Sequence, residues 1–128
     1  TMALSIDLKP GERIIIGEAL ITNSGARAKF SIQGDVPILR EKDILKPDEA
    51  DTPCKQLYLA VQLMYITRDS AELRATYFDL TRDILEAAPS MRPCLLAIND
   101  KIIGGSYFQA LKEARKLIEQ EARLLACA

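Results

Sequence analysis

The chain has 128 residues, of which 48% are hydrophobic, and its formal net charge is −1. This length fits one ordinary domain with a real core, and the apolar content excludes a disordered chain. The near-neutral balance excludes a bulk electrostatic attraction to nucleic acid or anionic lipid, so such binding would need a local basic patch.

The first 46 residues have the pattern of small β-structure. Apolar and polar residues alternate from Leu4 to Lys9, which is typical of a half-buried strand. Further short β-branched or apolar runs follow, with turn residues every eight to ten positions. We predict five strands, at residues 4–8, 13–16, 19–22, 28–32 and 36–39. They indicate an antiparallel sheet or a small barrel.

The remainder of the chain has the pattern of helices. A polar link, residues 46–51, precedes Thr52 and Pro53, which predict an N-cap and a first helical residue. The helix that follows is apolar on most faces, so we expect it at the centre of a bundle. Three more helices are predicted, ending near Ala88, before Gly104 and near Leu125. Capping boxes are predicted at Asp69 with Glu72 and at Ser106 with Gln109. Apolar stripes are expected on two of these helices. On the helix ending near Ala88 the stripe is Leu73, Tyr77, Leu80, Ile84 and Ala87, and on the last helix it is Tyr107, Leu111, Ala114, Ile118 and Leu125.

The fold class predicted from these patterns is α+β. We expect an antiparallel β-module at residues 1–46 and a helical region of four helices at residues 47–128.

The sequence gives little support for an enzymatic function. There is no histidine, which removes the commonest general base and metal ligand, and no nucleotide-binding or hydrolase motif occurs. The segment Gly104-Gly105-Ser106 could hold an anion on its backbone, but helix termination and capping explain it more simply. Cys94 lies in an apolar run and is expected in the core. We predict no catalytic residue, no metal and no cofactor.

The cysteine pattern and the lack of a targeting segment indicate the cellular compartment in which the protein is expected. Cys54, Cys94 and Cys127 are far apart and form no C-x-x-C pair, which disfavours a disulfide framework and a zinc site. No signal peptide and no membrane-length apolar run are found, so a cytoplasmic protein is expected. Thr1 precedes Met2, which we expect to be the native start.

Two surfaces are candidates for a partner. Basic residues on the last helix, such as Arg115 and Lys116, could form a ridge, although interleaved glutamates favour a solvated, salt-bridged face. Apolar helix stripes are expected in the core, with a partner helix as the alternative. In the β-module, basic residues outnumber acids as far as Arg40, so a sheet edge could contact RNA, although Phe30 is its only aromatic residue.

Several segments, in this order and spacing, resemble the FlbT family of flagellar-biosynthesis regulators over essentially the whole chain. They are Leu8-Lys9-Pro10-Gly11-Glu12, Leu39-Arg40-Glu41-Lys42-Asp43-Ile44, Thr52-Pro53 with Tyr58 and Met64-Tyr65, Tyr107-Phe108-Gln109-Ala110-Leu111, and Arg115-Lys116-Leu117-Ile118-Glu119. The resemblance implies a post-transcriptional regulator of α-proteobacteria, acting on the 5′ leader of flagellin mRNA, usually as a repressor and in some members as an activator. It also implies a link to FlaF, a small flagellin-associated protein of opposite effect.

Residues 4–45 also resemble, more distantly, the carbon storage regulator family of small dimeric RNA-binding proteins. The resemblance is carried by Pro10-Gly11-Glu12, then Ile15-Ile16-Gly17-Glu18, then residues 34–44. It implies that Arg40 corresponds to the arginine that contacts RNA from the last strand of that family. That family's pair of basic residues on the first strand is replaced here by Leu8 and Lys9, so only one charge is retained.

We therefore expect RNA contacts at Arg40, with Lys42 and Lys9 assisting on phosphates. The alternative for Arg40 is a strand-edge ion pair with Glu41 or Asp43, which would contribute little to stability. The alternative for the protein is a module that binds FlaF or flagellin through its helices and affects the mRNA indirectly. A homo-oligomer through sheet edges or the last helix is also open.

Overall fold

The computed structural model describes residues 3–68 and 70–127. The expected start at Met2 and the expected cap Asp69 lie outside these residues. The described chain is α+β, as predicted, and divides into two compact units, Thr1–Ile44 and Leu45–Ala128. We call them the β unit and the helical unit.

Five strands form the β unit. They are β1 (Ala3–Leu8), β2 (Arg13–Ile16), β3 (Ala19–Thr22), β4 (Ala28–Gln33) and β5 (Ile38–Arg40). All pairings are antiparallel, and the strands make two sheets, β1-β4 and β3-β2-β5. The fifth strand was expected at residues 36–39, but it begins two residues later and includes Arg40.

Alternation along the strands builds the core of the β unit. Ile6, Leu8 and Ile14 are buried there, and Phe30 packs against them from β4. Polar residues at the intervening positions of β1 and β4 point away from this core. The two-residue connection after β2 begins with Gly17 at φ +62°, which matches a type II′ hairpin turn.

Four α-helices form the helical unit. They are α1 (Pro53–Ile66), α2 (Ala71–Ala87), α3 (Arg92–Ile103) and α4 (Tyr107–Ala126). A short 3₁₀ turn, Pro47–Glu49, lies in the predicted polar link. Helix α1 packs against α2 and α4, and α4 also packs against α3, so α1 has the central place that its apolar faces indicate.

Helix ends follow the predicted signals in part. The Thr52 hydroxyl accepts a hydrogen bond from the Lys55 amide and Pro53 is the first residue of α1, as expected. Gly104 and Gly105 end α3 in a Schellman motif, in which the Ser106 amide donates to the Lys101 carbonyl at 2.8 Å.

Two capping predictions need revision. Ser106 holds the N-cap position of α4, but its side chain makes no capping hydrogen bond, so the predicted capping box with Gln109 is wrong. Helix α2 is capped by Ser70, whose hydroxyl accepts from the Leu73 amide at 3.2 Å.

The apolar stripes also differ from the prediction. On α4 the buried residues include Leu111, Ala114 and Leu117, whereas Leu125 is 61% exposed. On α2 only Tyr77 and Ile84 of the predicted stripe are fully buried. The predicted stripe assumes that one face of the helix is covered along its whole length. The neighbouring helices do not cover the last turn of α4, so Leu125 is exposed there.

Candidate functional site

The outer face of the β1-β4 pair carries polar side chains opposite one another. Asp7 on β1 is the register partner of Lys29 on β4, and Ser5 is the partner of Ser31. These positions alternate with Ile6 and Phe30, which point to the core. The pairing therefore places a carboxylate and an ammonium group side by side on one solvent-facing surface.

Arg40 lines the same surface. It ends β5 directly after Leu39, which is fully buried, and the side chain of Arg40 is exposed. A shallow depression of about 540 Å³ is lined by Arg40 together with Ser5, Ile6, Asp7, Lys29 and Phe30. We call this surface the β-unit depression. It brings cations from β4 and β5 together.

The structure does not contain the alternative that was considered for Arg40, an ion pair with Glu41 or Asp43. Glu41 pairs instead with Arg13, whose Nε lies 3.0 Å from Glu41 Oε1. Within residues 3–68 and 70–127, no carboxylate forms an ion pair with Arg40, and its side chain is exposed. Its guanidinium is thus available to an anion from outside the β unit.

Asp7 is held by a different arginine. Arg27 Nε and Nη2 donate to the two carboxylate oxygens of Asp7, each at 3.0 Å, in a bidentate pair. These hydrogen bonds lower the pKa of Asp7, and the charges of Arg27, Lys29 and Lys9 act in the same direction. Asp7 therefore lies among three cations, and the surface around it is basic.

The other two predicted residues lie apart from one another. Lys9 is in the turn after β1, where its amide donates to Glu12 Oε1, and its charge acts on Asp7. Lys42 is exposed on a 3₁₀ turn, Glu41–Asp43, and is not among the described residues that line the depression. The structure thus places both Arg40 and Lys9 near Asp7. Lys42 is close to Arg40 in the sequence but does not line the depression.

The structure adds Lys29 as a candidate site residue that was not predicted from the sequence. The sequence shows that Lys29 is charged, and its alternation with the apolar Phe30 indicates that its side chain points outward. Its neighbours depend on the β1-β4 register, which no local pattern specifies.

The depression can bind an anion, and Ser5 adds a hydroxyl that donates or accepts. Phe30 is only half-exposed and packs against the core, so it offers at most the edge of a ring for stacking. Lysine and arginine at these positions suit phosphate oxygens, and arginine also suits base edges.

Basic residues on α4 are largely engaged within the helical unit. Arg115 donates to the Tyr58 hydroxyl at 3.1 Å and its guanidinium lies over that ring, while Lys112 lies over Phe108 at 5.0 Å. Lys116 pairs with Glu113 at 3.2 Å, as expected for a salt-bridged face. These contacts leave the last helix a weaker candidate for nucleic acid.

A metal site is not found among the described residues. No group of three or more potential ligands comes together in that part of the chain. Cys54 is buried, and burial raises the pKa of its thiol and also that of Cys94, which is half-buried. None of the described helices is long and apolar enough to cross a bilayer.

Comparison with known proteins gives a consistent result. The family model described as "Flagellar protein FlbT" matches residues 4–125. A relative from Bradyrhizobium diazoefficiens, named "Probable flagellum biosynthesis repressor protein FlbT 1", is 55% identical over 96% of this chain and 85% of its own. The FlbT protein of Rhodopseudomonas palustris is 46% identical over 98% and 99%, and the "Flagellum biosynthesis repressor protein FlbT" of Caulobacter vibrioides is 33% identical over 94% and 87%. No solved structure matches the chain significantly.

Proposed function

The chain belongs to the FlbT family of flagellar proteins, and we propose that it represses flagellin synthesis by binding RNA through the β unit. Its relatives are named repressors of flagellum biosynthesis rather than enzymes, which agrees with the absence of catalytic motifs from the sequence. The target, from the resemblance, is the 5′ leader of flagellin mRNA. We place the protein in the cytoplasm, where that mRNA is translated.

One observation carries the proposal. Arg40, the residue that the resemblance aligns with an RNA contact, is exposed and lines a surface depression together with Lys29, while its sequence neighbour Glu41 forms an ion pair with Arg13. An arginine left to solvent while the adjacent glutamate pairs elsewhere is suited to an external anion. RNA offers phosphates for Lys29 and Lys9, and phosphates or base edges for Arg40. Lys42 assists from outside the depression.

Neutral overall charge limits the mode of binding. With a net charge of −1, few phosphates can be contacted, so we expect a modest salt dependence set by the three or four cations of this surface. Specificity would then come from single-stranded or looped bases rather than from a long duplex.

The test is binding of the full chain to a labelled flagellin 5′ leader from its own organism at two salt concentrations. We expect Arg40→Ala to weaken binding most, by about tenfold to a hundredfold, which corresponds to the loss of one bidentate contact of about 1–3 kcal/mol. Lys29→Ala and Lys9→Ala should each weaken binding less and reduce the salt slope by about one. Lys42→Ala should have the smallest effect of the four.

Lys101→Ala is the matched control, because Lys101 is an exposed lysine on α3 in the helical unit. Equal losses in Lys101→Ala and Arg40→Ala would mean that only bulk charge matters. If the folded wild-type chain does not bind the leader, direct contact is refuted, and an indirect effect through a protein such as FlaF or flagellin becomes the better account.

A further inference from the structure

A groove of about 540 Å³ opens in the helical unit, where α1 begins and α2 and α4 end. Its walls are mainly apolar, from Pro53, Ile84, Ala87, Met91, Leu124 and Leu125. The volume lies in the range of sites that bury a ligand or a few side chains of a partner. It is built wholly from the helical unit, so nothing about it depends on Arg40.

The rim of the groove exposes large apolar side chains. Leu124 is 42% exposed and Leu125 is 61% exposed, although both lie on the most strongly amphipathic helix of the chain. Two adjacent leucines left to water beside an apolar groove form a continuous surface rather than scattered exposure. The last turn of α4 is therefore free to pack against a further element.

The floor of the groove is acidic. Glu121 is only 9% exposed, and its carboxylate accepts hydrogen bonds from the Thr52 hydroxyl at 2.6 Å and the Cys54 amide at 3.1 Å. Of the described residues, no lysine or arginine forms an ion pair with it or lines the groove. Asp83, the other acid there, shares the exposed Arg82 with Asp79.

The N-terminal end of α1 favours the negative charge of Glu121, but this carboxylate has no cation among the described residues, so a purely apolar ligand surface would match the groove poorly. Each of its oxygens already accepts one hydrogen bond and can accept a further one, so an ammonium or guanidinium group can add a charge-assisted bond. The groove thus combines an apolar rim with a negative floor, and its complement is an apolar surface that carries one positive charge.

We propose that this groove docks an amphipathic helix of a partner protein, whose apolar residues cover Leu124 and Leu125 and whose lysine or arginine reaches Glu121. A helix supplies apolar side chains at i, i+3, i+4 and i+7, which suits a groove between helix ends. The described helical unit has no strand edge that could pair with an extended peptide.

The test uses the full chain and synthetic helical peptides of about four turns. Each peptide has leucines along one face and a single lysine placed in turn at one position of that face, and its matched counterpart has glutamate there. Binding is measured by calorimetry and by shifts of the Leu124 and Leu125 methyl resonances. We expect at least one lysine peptide to bind about tenfold or more tightly than its glutamate counterpart.

Ala87→Trp fills the groove from an exposed position and leaves Glu121 and its hydrogen bonds untouched. Ala75→Trp, at an exposed alanine of the same helix outside the groove, is the control. Binding should be lost in the first variant and kept in the second.

Three results of the peptide experiment would overturn the proposal. They are equal binding of the lysine and glutamate peptides, unchanged binding in Ala87→Trp, and no binding of any peptide in the set. A concentration-dependent dimer of the wild-type chain that Ala87→Trp abolishes would also overturn it, since a second copy of this chain would then be the occupant.

Discussion

Glu121, near the end of the last helix, accepts a hydrogen bond from the Cys54 amide at the first turn of α1, with a donor–acceptor distance of 3.1 Å. Its other oxygen accepts from the Thr52 hydroxyl. A carboxylate from α4, a helix that is distant in the sequence but packed against α1, thus caps α1 at its N-terminus, where the positive end of the helix dipole favours negative charge. The glutamate that interrupts the apolar stripe of α4 is a capping residue of another helix.

The first prediction concerns this cap. Glu121→Ala should lower the free energy of unfolding by about 1–3 kcal/mol, because the buried Cys54 amide loses its acceptor. Urea denaturation followed by the helical circular dichroism signal measures it. Glu119→Ala, at an exposed position of the same helix, should change stability by less than about 0.5 kcal/mol. Equal effects of the two substitutions would contradict the capping role.

Local signals identified most of the helix and strand positions. Thr52-Pro53 and Gly104-Gly105 act through the residues beside them, so a sequence pattern is sufficient to predict α1's start and α3's end. Ser106 shows the limit of such signals. Its position at the N-cap is as expected, but at ψ +67° the side chain makes no capping bond.

Long-range partners could not be predicted. Glu121 and Thr52 are 69 residues apart, and Arg13 and Glu41 are 28 apart, so their pairing depends on how whole elements pack. Arg40 is predicted as an RNA contact because the resemblance aligns it with a contact of the carbon storage regulator family. Lys29 was not predicted, because its neighbours follow from the strand register.

The second prediction concerns the start of the helical unit. Gln62, buried on α1, accepts from the Leu45 amide at 2.8 Å and donates to the Leu45 carbonyl at 3.0 Å. Gln62→Leu should speed hydrogen exchange of the Leu45 amide and lower the free energy of unfolding by about 1–3 kcal/mol, because both backbone groups lose their partner. Gln62→Glu keeps the acceptor and should protect this amide better than leucine does. An unchanged exchange rate in Gln62→Leu would refute the pairing.

The third prediction concerns thiol reactivity. Cys127 is exposed, Cys94 is half-buried and Cys54 is buried, and burial raises the pKa of the last two. Since the thiolate is the reactive form, a thiol reagent at neutral pH should label Cys127 first, Cys94 more slowly and Cys54 only after unfolding. Mass spectrometry of timed samples measures the order. Early labelling of Cys54 in the folded chain would be inconsistent with its placement.

The fourth prediction concerns the pKa of Asp7. It is lowered chiefly by the hydrogen bonds from Arg27, so Arg27→Ala should raise it toward the ordinary value of 3.8, as measured by NMR titration. A lowered pKa in the folded state stabilises the fold above the ordinary value, and this contribution is lost as the pH falls through the lowered pKa. Arg13→Ala, which breaks the Glu41 pair instead, should leave the pKa of Asp7 unchanged. A rise of similar size in both variants would contradict the assignment.

The fifth prediction links this carboxylate to the proposed RNA contact. Asp7 is the one acid among the described residues that line the β-unit depression, and it holds Arg27 in a bidentate pair. Asp7→Asn removes a negative charge beside Arg40 and Lys29 and releases Arg27, so it should tighten binding to the flagellin leader severalfold, with the larger gain at low salt. The measurement is titration of the labelled leader at two salt concentrations. Asp35→Asn, at an exposed position outside the depression, should give a smaller gain. Weaker binding in Asp7→Asn would instead assign Asp7 a direct contact to a base donor.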